Sequence, residues 1–327
     1  KNLLFCEGIR DGFYGTLPEI SKEYESQCYE LPCSENAAMG MVLGAASYGL
    51  NPIMCLQRVE FALLALEQLV NNSSKISFLT NNKRSNPALL RLVIGRGWGQ
   101  GPSHSQSLET FFAQIPSLNV VLPVFPEDSK LIFEKFSKRK TPTICIEHRW
   151  IHFNKNSEYQ PADFEPYVIK RGNDLTIVSC GYDVVQTLVV AKVLEKYQIS
   201  IEVVNFFCLT SSSYKNIYES IQKTQNLITI DINRSFYGAS SELVAQICSS
   251  GISLNHPPVR LGAKGEFSPS SRHLVDSYFI NILDITSAVL EILKVETDLK
   301  MKIMNEINVL ENNQLNDAPN KGFSGPF

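Results

Sequence analysis

The feature that most restricts the fold of this chain is an alternation. Apolar runs of strand length are separated by helical patterns, in two successive series. The first reads L-L-F-C, a helix from Ser34, N-P-I-M-C-L-Q, a helical E-F-A-L-L-A-L-E-Q-L-V-N, L-L-R-L-V-I, L-N-V-V-L-P, a helix near Pro126 to Lys138, and P-T-I-C-I-E. Runs apolar on both faces and spaced by helices suit a mostly parallel sheet covered on both sides. This predicts an α/β domain over residues 1–153. The stretch N-K-N-S-E-Y-Q-P-A-D-F-E-P-Y is polar, carries prolines and reads as a linker, 154–168. D-L-T-I-V-S-C-G, S-I-E-V-V-N-F, N-L-I-T-I-D-I and P-V-R-L-G, with helices between them, predict a second, smaller α/β domain over 169–295. The expected class is therefore α/β with two doubly wound domains. The tail, 296–327, begins as a charged helical stretch and ends in N-N-Q-L-N-D-A-P-N-K-G-F-S-G-P-F. That composition suits either disorder or docking on a neighbour through Phe323 and Phe327.

At 327 residues and 44% hydrophobic, the chain can bury a core in each domain. A net charge of −3 with both signs interspersed excludes the basic field that would hold nucleic acid or an anionic membrane. The cysteines Cys6, Cys28, Cys33, Cys55, Cys145, Cys180, Cys208 and Cys248 are scattered with no C-x-x-C pair, mostly in apolar runs. They read as buried free thiols in a reducing compartment. No apolar run approaches the roughly 18 residues of a membrane span, and K-N-L-L-F-C-E-G reads as a strand rather than a signal peptide. The expectation is a soluble cytoplasmic protein (mitochondrial matrix if eukaryotic) whose start is truncated.

One charged residue, Glu35, stands at the mouth of the small, apolar run L-P-C-S-E-N-A-A-M-G-M-V-L-G-A-A-S-Y-G-L. Ser34 is a good N-cap, which puts Glu35 in the first turn of a helix. Two readings are open. In the first, the carboxylate only complements the helix dipole, an effect of about 0.3–1 kcal/mol. Alternatively, because it stands beside Leu31, Pro32 and Cys33, it is desolvated and requires a specific acceptor. His104 follows the glycine-rich V-I-G-R-G-W-G-Q-G, which does not match G-x-G-x-x-G and reads as a flexible loop delivering the histidine to a site. His148 and His152 have i, i+4 spacing but follow a strand and lack a third ligand, so no metal site is read there.

Three motifs together resemble a known family: the run 31–53 around Glu35, then L-Q-R-V-E-F-A-L-L-A-L-E-Q-L-V-N-N-S-S-K, then G-P-S-H-S-Q-S-L-E-T-F-F-A-Q-I-P-S-L-N-V-V-L-P. They look like the beta subunit of pyruvate dehydrogenase-type 2-oxoacid dehydrogenases, thiamine diphosphate enzymes of the transketolase-like superfamily. The resemblance implies a pyrimidine-binding domain followed by a transketolase C-terminal-like domain, and an alpha2beta2 assembly with an alpha subunit. It also implies decarboxylation of a 2-oxoacid such as pyruvate, with the acyl group passed to the lipoyl group of an acyltransferase. By this likeness Glu35 contacts the ring nitrogen of the cofactor's aminopyrimidine and takes part in its proton exchange. Phe61 packs on the pyrimidine four positions after the polar Gln57, and His104 lies near the reactive carbon. Cys33, Glu35, Gln57 and Phe61 form the implied cofactor-binding set, with Glu35 and His104 catalytic.

There are departures from the pattern. Relatives often carry an aromatic residue at the position of Arg58. An arginine there suits an anionic substrate, a subunit contact or plain exposure. The family's G-D-G…N diphosphate motif occurs nowhere in the sequence. This chain is thus expected to hold only the pyrimidine half of the cofactor, with Mg²⁺ and diphosphate on the alpha subunit. I-E-V-V-N-F-F-C-L-T stands where relatives have a D-L-R-x-x-x-P-L-like run, and the second domain is expected to serve assembly. The alternatives in view are a split transketolase-like C2-transferring enzyme and a non-catalytic beta-like scaffold.

Overall fold

Leu89–Ile94 and Thr143–His148 are each buried at all of their positions, which only interior strands of a sheet covered on both faces can be. In the computed structural model, which describes residues 1–9, 12–96, 99–152, 154 and 159–312, they are β4 and β6 of a six-stranded sheet. The others are β1 (Asn2–Cys6), β2 (Cys28–Glu30), β3 (Asn51–Leu56) and β5 (Asn119–Val121). Their order is β2-β1-β3-β4-β6-β5 and every pairing is parallel. The helices of this domain are α1 (Pro18–Glu23), α2 (Glu35–Ser47), α3 (Ile76–Leu79), α4 (Glu109–Ala113) and α5 (Pro126–Lys135). In α2 the buried residues Ala38, Met39, Val42 and Ala46 recur at helical spacing and form one face against the core.

The run E-F-A-L-L-A-L-E-Q-L-V-N is not a regular α-helix. Val59–Ala65 is a 3-10 helix that passes into a π-helical turn over Glu67–Ser73. The three-residue period aligns Val59, Ala62 and Ala65 on one face, and all three are fully buried.

The second sheet contains β7 (Tyr167–Lys170), β8 (Leu175–Ser179), β9 (Ile201–Asn205), β10 (Leu227–Ile230) and β11 (Val259–Leu261) in the order β11-β10-β8-β9-β7. It is parallel except for the edge strand β7. Its helices are α6 (Tyr182–Glu195), α7 (Lys215–Thr224), α8 (Ala239–Ser249), α9 (Ile282–Ile292) and α10 (Thr297–Asn312). Successive strand residues point to opposite faces. Ile177 and Val203 join the core under α6, α9 and α10, while Val178 and Val204 join the core that runs into the first domain. The two sheets are also tied through the backbone: Leu122 N–H donates to Phe207 O at 2.8 Å and Leu209 N–H to Val120 O at 3.0 Å.

All eight cysteines are free. Five are buried, Cys28 is half-buried, and Cys33 and Cys248 are exposed against expectation because they sit in a surface loop and on an outward helix face. Residues 313–327, with Phe323 and Phe327, lie outside the described residues. Among the described residues no helix is long and apolar enough to cross a membrane.

The one charge inside β4, Arg91, is answered from β6. Its Nε and Nη2 donate to the Glu147 carboxylate at 2.6 and 2.8 Å, and Nη2 also reaches Thr16 Oγ1 at 3.3 Å. Burial alone would raise the Glu147 carboxyl, but the guanidinium outweighs it and holds it well below the usual carboxylate range. Glu147→Gln should cost about 3–5 kcal/mol in denaturant titration by leaving Arg91 uncompensated. An Arg91→Met/Glu147→Leu double variant should recover most of that loss.

Candidate active site

Because β2, β1, β3 and β4 are neighbours running the same way, their C-terminal ends form one rim, where open parallel sheets place ligands. Four segments leave that rim. The one after β1 carries Glu7, the one after β2 leads to Glu35, the one after β3 carries Gln57 to Phe61, and the loop after β4 carries His104.

Glu35 is the first residue of α2 and half-exposed. Ser34 holds the N-cap position, but its side chain makes no capping bond. Of the apolar neighbours expected to desolvate Glu35, Leu31 is buried whereas Pro32 and Cys33 face outward. Among the described residues Glu35 is therefore left half-exposed, since the connection from β2 to α2 lies on the surface. The Cys33 thiol donates to the Glu7 carboxylate, which raises its pKa, with the Glu7 and Glu35 charges adding to the effect. One ligand atom each of Glu7, Cys33 and Glu35 lies within 4.8 Å of the others, the one such grouping among the described residues. Nothing else converges on it, and no metal role is built on it.

Gln57 follows β3 directly, and its carbonyl accepts the Tyr14 hydroxyl at 3.1 Å. Phe13 and Tyr14 have φ of 42° and 55°, a region costly for aromatic residues, which points to a constrained position. Arg58 is only 8% exposed, so plain exposure is overturned: it is folded under the turn near Tyr14 and Glu60. Phe61 is half-buried, packed against the core on one side and meeting the His104 ring edge-to-face at 5.9 Å on the other. The core-packing reading of Phe61 thus holds on one side of the ring, and its other side meets His104.

The loop that carries His104 is closely packed. Gly101 has φ of 61°, and a Cβ there would lie 2.3 Å from Ser270 Oγ of the second domain, so glycine serves close approach rather than freedom of movement. Beyond His104, Gln106 N–H donates to Glu60 Oε1 at 2.8 Å, and the Ser107 carbonyl accepts from Asn233 Nδ2 at 2.7 Å. Burial lifts the Glu60 carboxyl, against the lowering effects of the Gln106 amide and His104. Behind the loop, a cleft between the domains is lined by Arg96, Ser107, His148, Asp183, Asp231 and Asn233. His148 stacks on Tyr182 at 5.1 Å, and burial holds its pKa well below the ordinary histidine value. His152 Nε2 lies 3.1 Å from the Glu147 carboxylate. The two histidines therefore have separate structural partners. Neither Glu60 nor Asn233 was singled out in the sequence: Glu60 looks like the polar face of a helix, and Asn233 is 126 positions from its partner.

The family described as the transketolase pyrimidine binding domain matches residues 5–151, and the transketolase C-terminal domain matches 166–285. The chain therefore belongs to the transketolase-like superfamily, and its first domain implies dependence on thiamine diphosphate. Curated relatives that it resembles are named as beta subunits of pyruvate dehydrogenase E1 and of an acetoin oxidoreductase. It is 26% identical over 303 residues to the acetoin:2,6-dichlorophenolindophenol oxidoreductase subunit beta of Cupriavidus necator, covering 88% of each chain. It is 27% identical over 282 residues to the mitochondrial pyruvate dehydrogenase E1 component subunit beta of Saccharomyces cerevisiae, covering 83% of this chain and 77% of that one. To the Homo sapiens counterpart it is 26% identical over 296 residues, covering 87% and 82%. A solved structure titled split gene transketolase, inactive beta4 tetramer, has the same fold, with a TM-score of 0.71 at 20% identity over 90% of this chain and 92% of that one.

Two carboxyls beside the His104 loop make stability depend on pH. Burial raises Glu109, next to Ser107, to about 7 from 4.5, and Asp183 to about 7 from 3.8. Between the unfolded and folded values the native state holds the extra proton, so stability is greatest below that window and falls as pH rises through it. Glu109→Gln should keep the Ser107 contact and flatten part of the fall between pH 5 and 7.5. The variant should be more stable at the upper end by on the order of 3 kcal/mol, read from denaturant midpoints across that range.

Proposed function

We propose that this chain is the beta subunit of a thiamine diphosphate-dependent 2-oxoacid dehydrogenase. It would decarboxylate a 2-oxoacid such as pyruvate and pass the acyl group to lipoyl, as part of an alpha2beta2 assembly. The observation that carries this is the rim itself: a half-exposed Glu35 carboxylate, a Phe61 ring and the His104 imidazole are carried by segments that leave parallel strands of one sheet at the same edge. An open carboxylate and an aromatic ring on a surface suit one half of a flat heterocycle's site, with the remainder supplied from outside the chain. Held between this rim and the partner, thiamine diphosphate would supply the nucleophilic carbon and the electron sink that decarboxylation of a 2-oxoacid needs.

In this reading the chain's own residues have distinct tasks. Glu35 exchanges a proton with the pyrimidine ring nitrogen through a carboxylate oxygen, which an amide cannot do. Phe61, Gln57 and Cys33 bound and orient the ring. His104 donates from its imidazole to oxygen where negative charge develops. Mg²⁺ and diphosphate fall to the alpha subunit, because the sequence carries no motif for them.

Exposed Met41 of α2 with Leu63 and Leu64 of the neighbouring 3-10 helix supports a partner on this side. Arg58 loses its force as a sign of an anionic sugar substrate, since it is buried under the turn.

Reconstituted with its alpha subunit, Glu35→Gln should keep its circular dichroism and melting temperature and lose at least ~10²-fold in 2-oxoacid decarboxylation. Undiminished turnover would refute the role of Glu35. Calorimetric titration of thiamine diphosphate with Mg²⁺ should give tight binding to the assembled pair and none to this chain alone. No binding by the assembly would make the chain a scaffold.

A further inference from the structure

The second domain reaches the His104 loop through Asn233 as well as through Ser270. The loop that carries His104 is gripped from both sides: from the first domain by Glu60, whose Oε1 accepts Gln106 N–H at 2.8 Å, and from the second by Asn233, whose Nδ2 donates to the Ser107 carbonyl at 2.7 Å. The residue next to Glu60, Phe61, sets its ring edge-to-face against His104 at 5.9 Å. Both grips rise from anchored backbone. Glu60 lies in the first turn of the 3-10 helix, whose inner face of Val59, Ala62 and Ala65 is fully buried. The Asn233 backbone is pinned at β11, where Ala263 N–H donates to Asn233 O at 2.9 Å and a Cβ on Gly262 would come within 2.7 Å of that oxygen. The turn containing it is closed by buried Asp231, which accepts Ser240 N–H at 2.9 Å.

We infer that Glu60 and Asn233 are positioning residues that fix the His104 loop between the two domains, so that the second domain sets the placement of His104 as well as serving assembly. This rests on the reading of His104 as a reacting group, but the grip itself does not. A backbone amide and a backbone carbonyl only one residue apart, held by side chains from two domains, leave the imidazole little latitude. Displacements of the order of 1 Å at such a group cost on the order of 10²-fold in rate.

The two residues can be tested by changes that keep shape. Asn233→Asp retains Oδ1, which accepts Arg234 N–H at 2.9 Å, but loses the donor to Ser107 and sets a carboxylate oxygen against its carbonyl. Glu60→Gln retains an acceptor for Gln106, whereas Glu60→Ala removes it. The first readout is amide hydrogen exchange of residues 104–107 in the purified full chain, with melting temperatures as the check on folding. Exchange should accelerate at least ~10-fold in Glu60→Ala and Asn233→Asp and stay near wild type in Glu60→Gln. The second readout is the reconstituted enzyme. There kcat should fall on the order of 10- to 100-fold with KM little changed, and the two losing variants should add nothing in a His104→Ala background. Unchanged exchange in both losing variants, equal acceleration in Glu60→Gln and Glu60→Ala, or losses that add fully to His104→Ala would overturn the assignment. If exchange responds as expected while the wild-type assembly shows no decarboxylation, the grip stands and the proposed reaction fails.

Discussion

Parallel pairing is the constraint on which the site depends. In a hairpin sheet, neighbouring strands end at opposite edges, and residues following successive strands are sent apart. Here β2, β1, β3 and β4 all end on the same side, so segments separated by long stretches of sequence meet at one rim. Such pairing requires strands buried on both faces, and β4 and β6 are. The cost appears at Arg91, where a charge inside a strand is tolerated because the adjacent strand answers it with a two-pronged carboxylate.

Much of this was legible in the sequence because the signals are local. Alternating runs announce strands and helices, Ser34 announces a helix start, and Glu35 must then sit in the first turn. Phe61 and His104 could be placed beyond strands by their neighbours alone. What was not legible depends on distance or on context. Arg58 looks like a surface residue and is buried, because the turn after β3 folds over it. Glu35 looks enclosed by Leu31, Pro32 and Cys33, yet two of these point outward once the loop crosses the surface.

The glycines before His104 show the same difference. Read as letters, G-R-G-W-G-Q-G suggests slack. In three dimensions Gly101 is there because Ser270 leaves no room for a side chain and the backbone is left-handed. The run E-F-A-L-L-A-L has the apolar periodicity of an α-helix, but its inner residues pack at a spacing of three, and the backbone tightens to suit. Asn233 could not have been found by pattern at all, since its partner lies in another domain.

The backbone bonds joining the strand ends at Val120 and Leu122 to Leu209 and Phe207 bear on how molecules come and go. Two domains joined only by a linker can swing apart like jaws, and many enzymes admit substrate that way. Here a peptide ladder and a continuous apolar core cross the junction, so an intrachain hinge would have to break main-chain hydrogen bonds at every turnover. On the proposed function, traffic to the rim would then depend on the subunit opposite it. The tempo of opening would be set by neighbouring surfaces moving over a rigid floor.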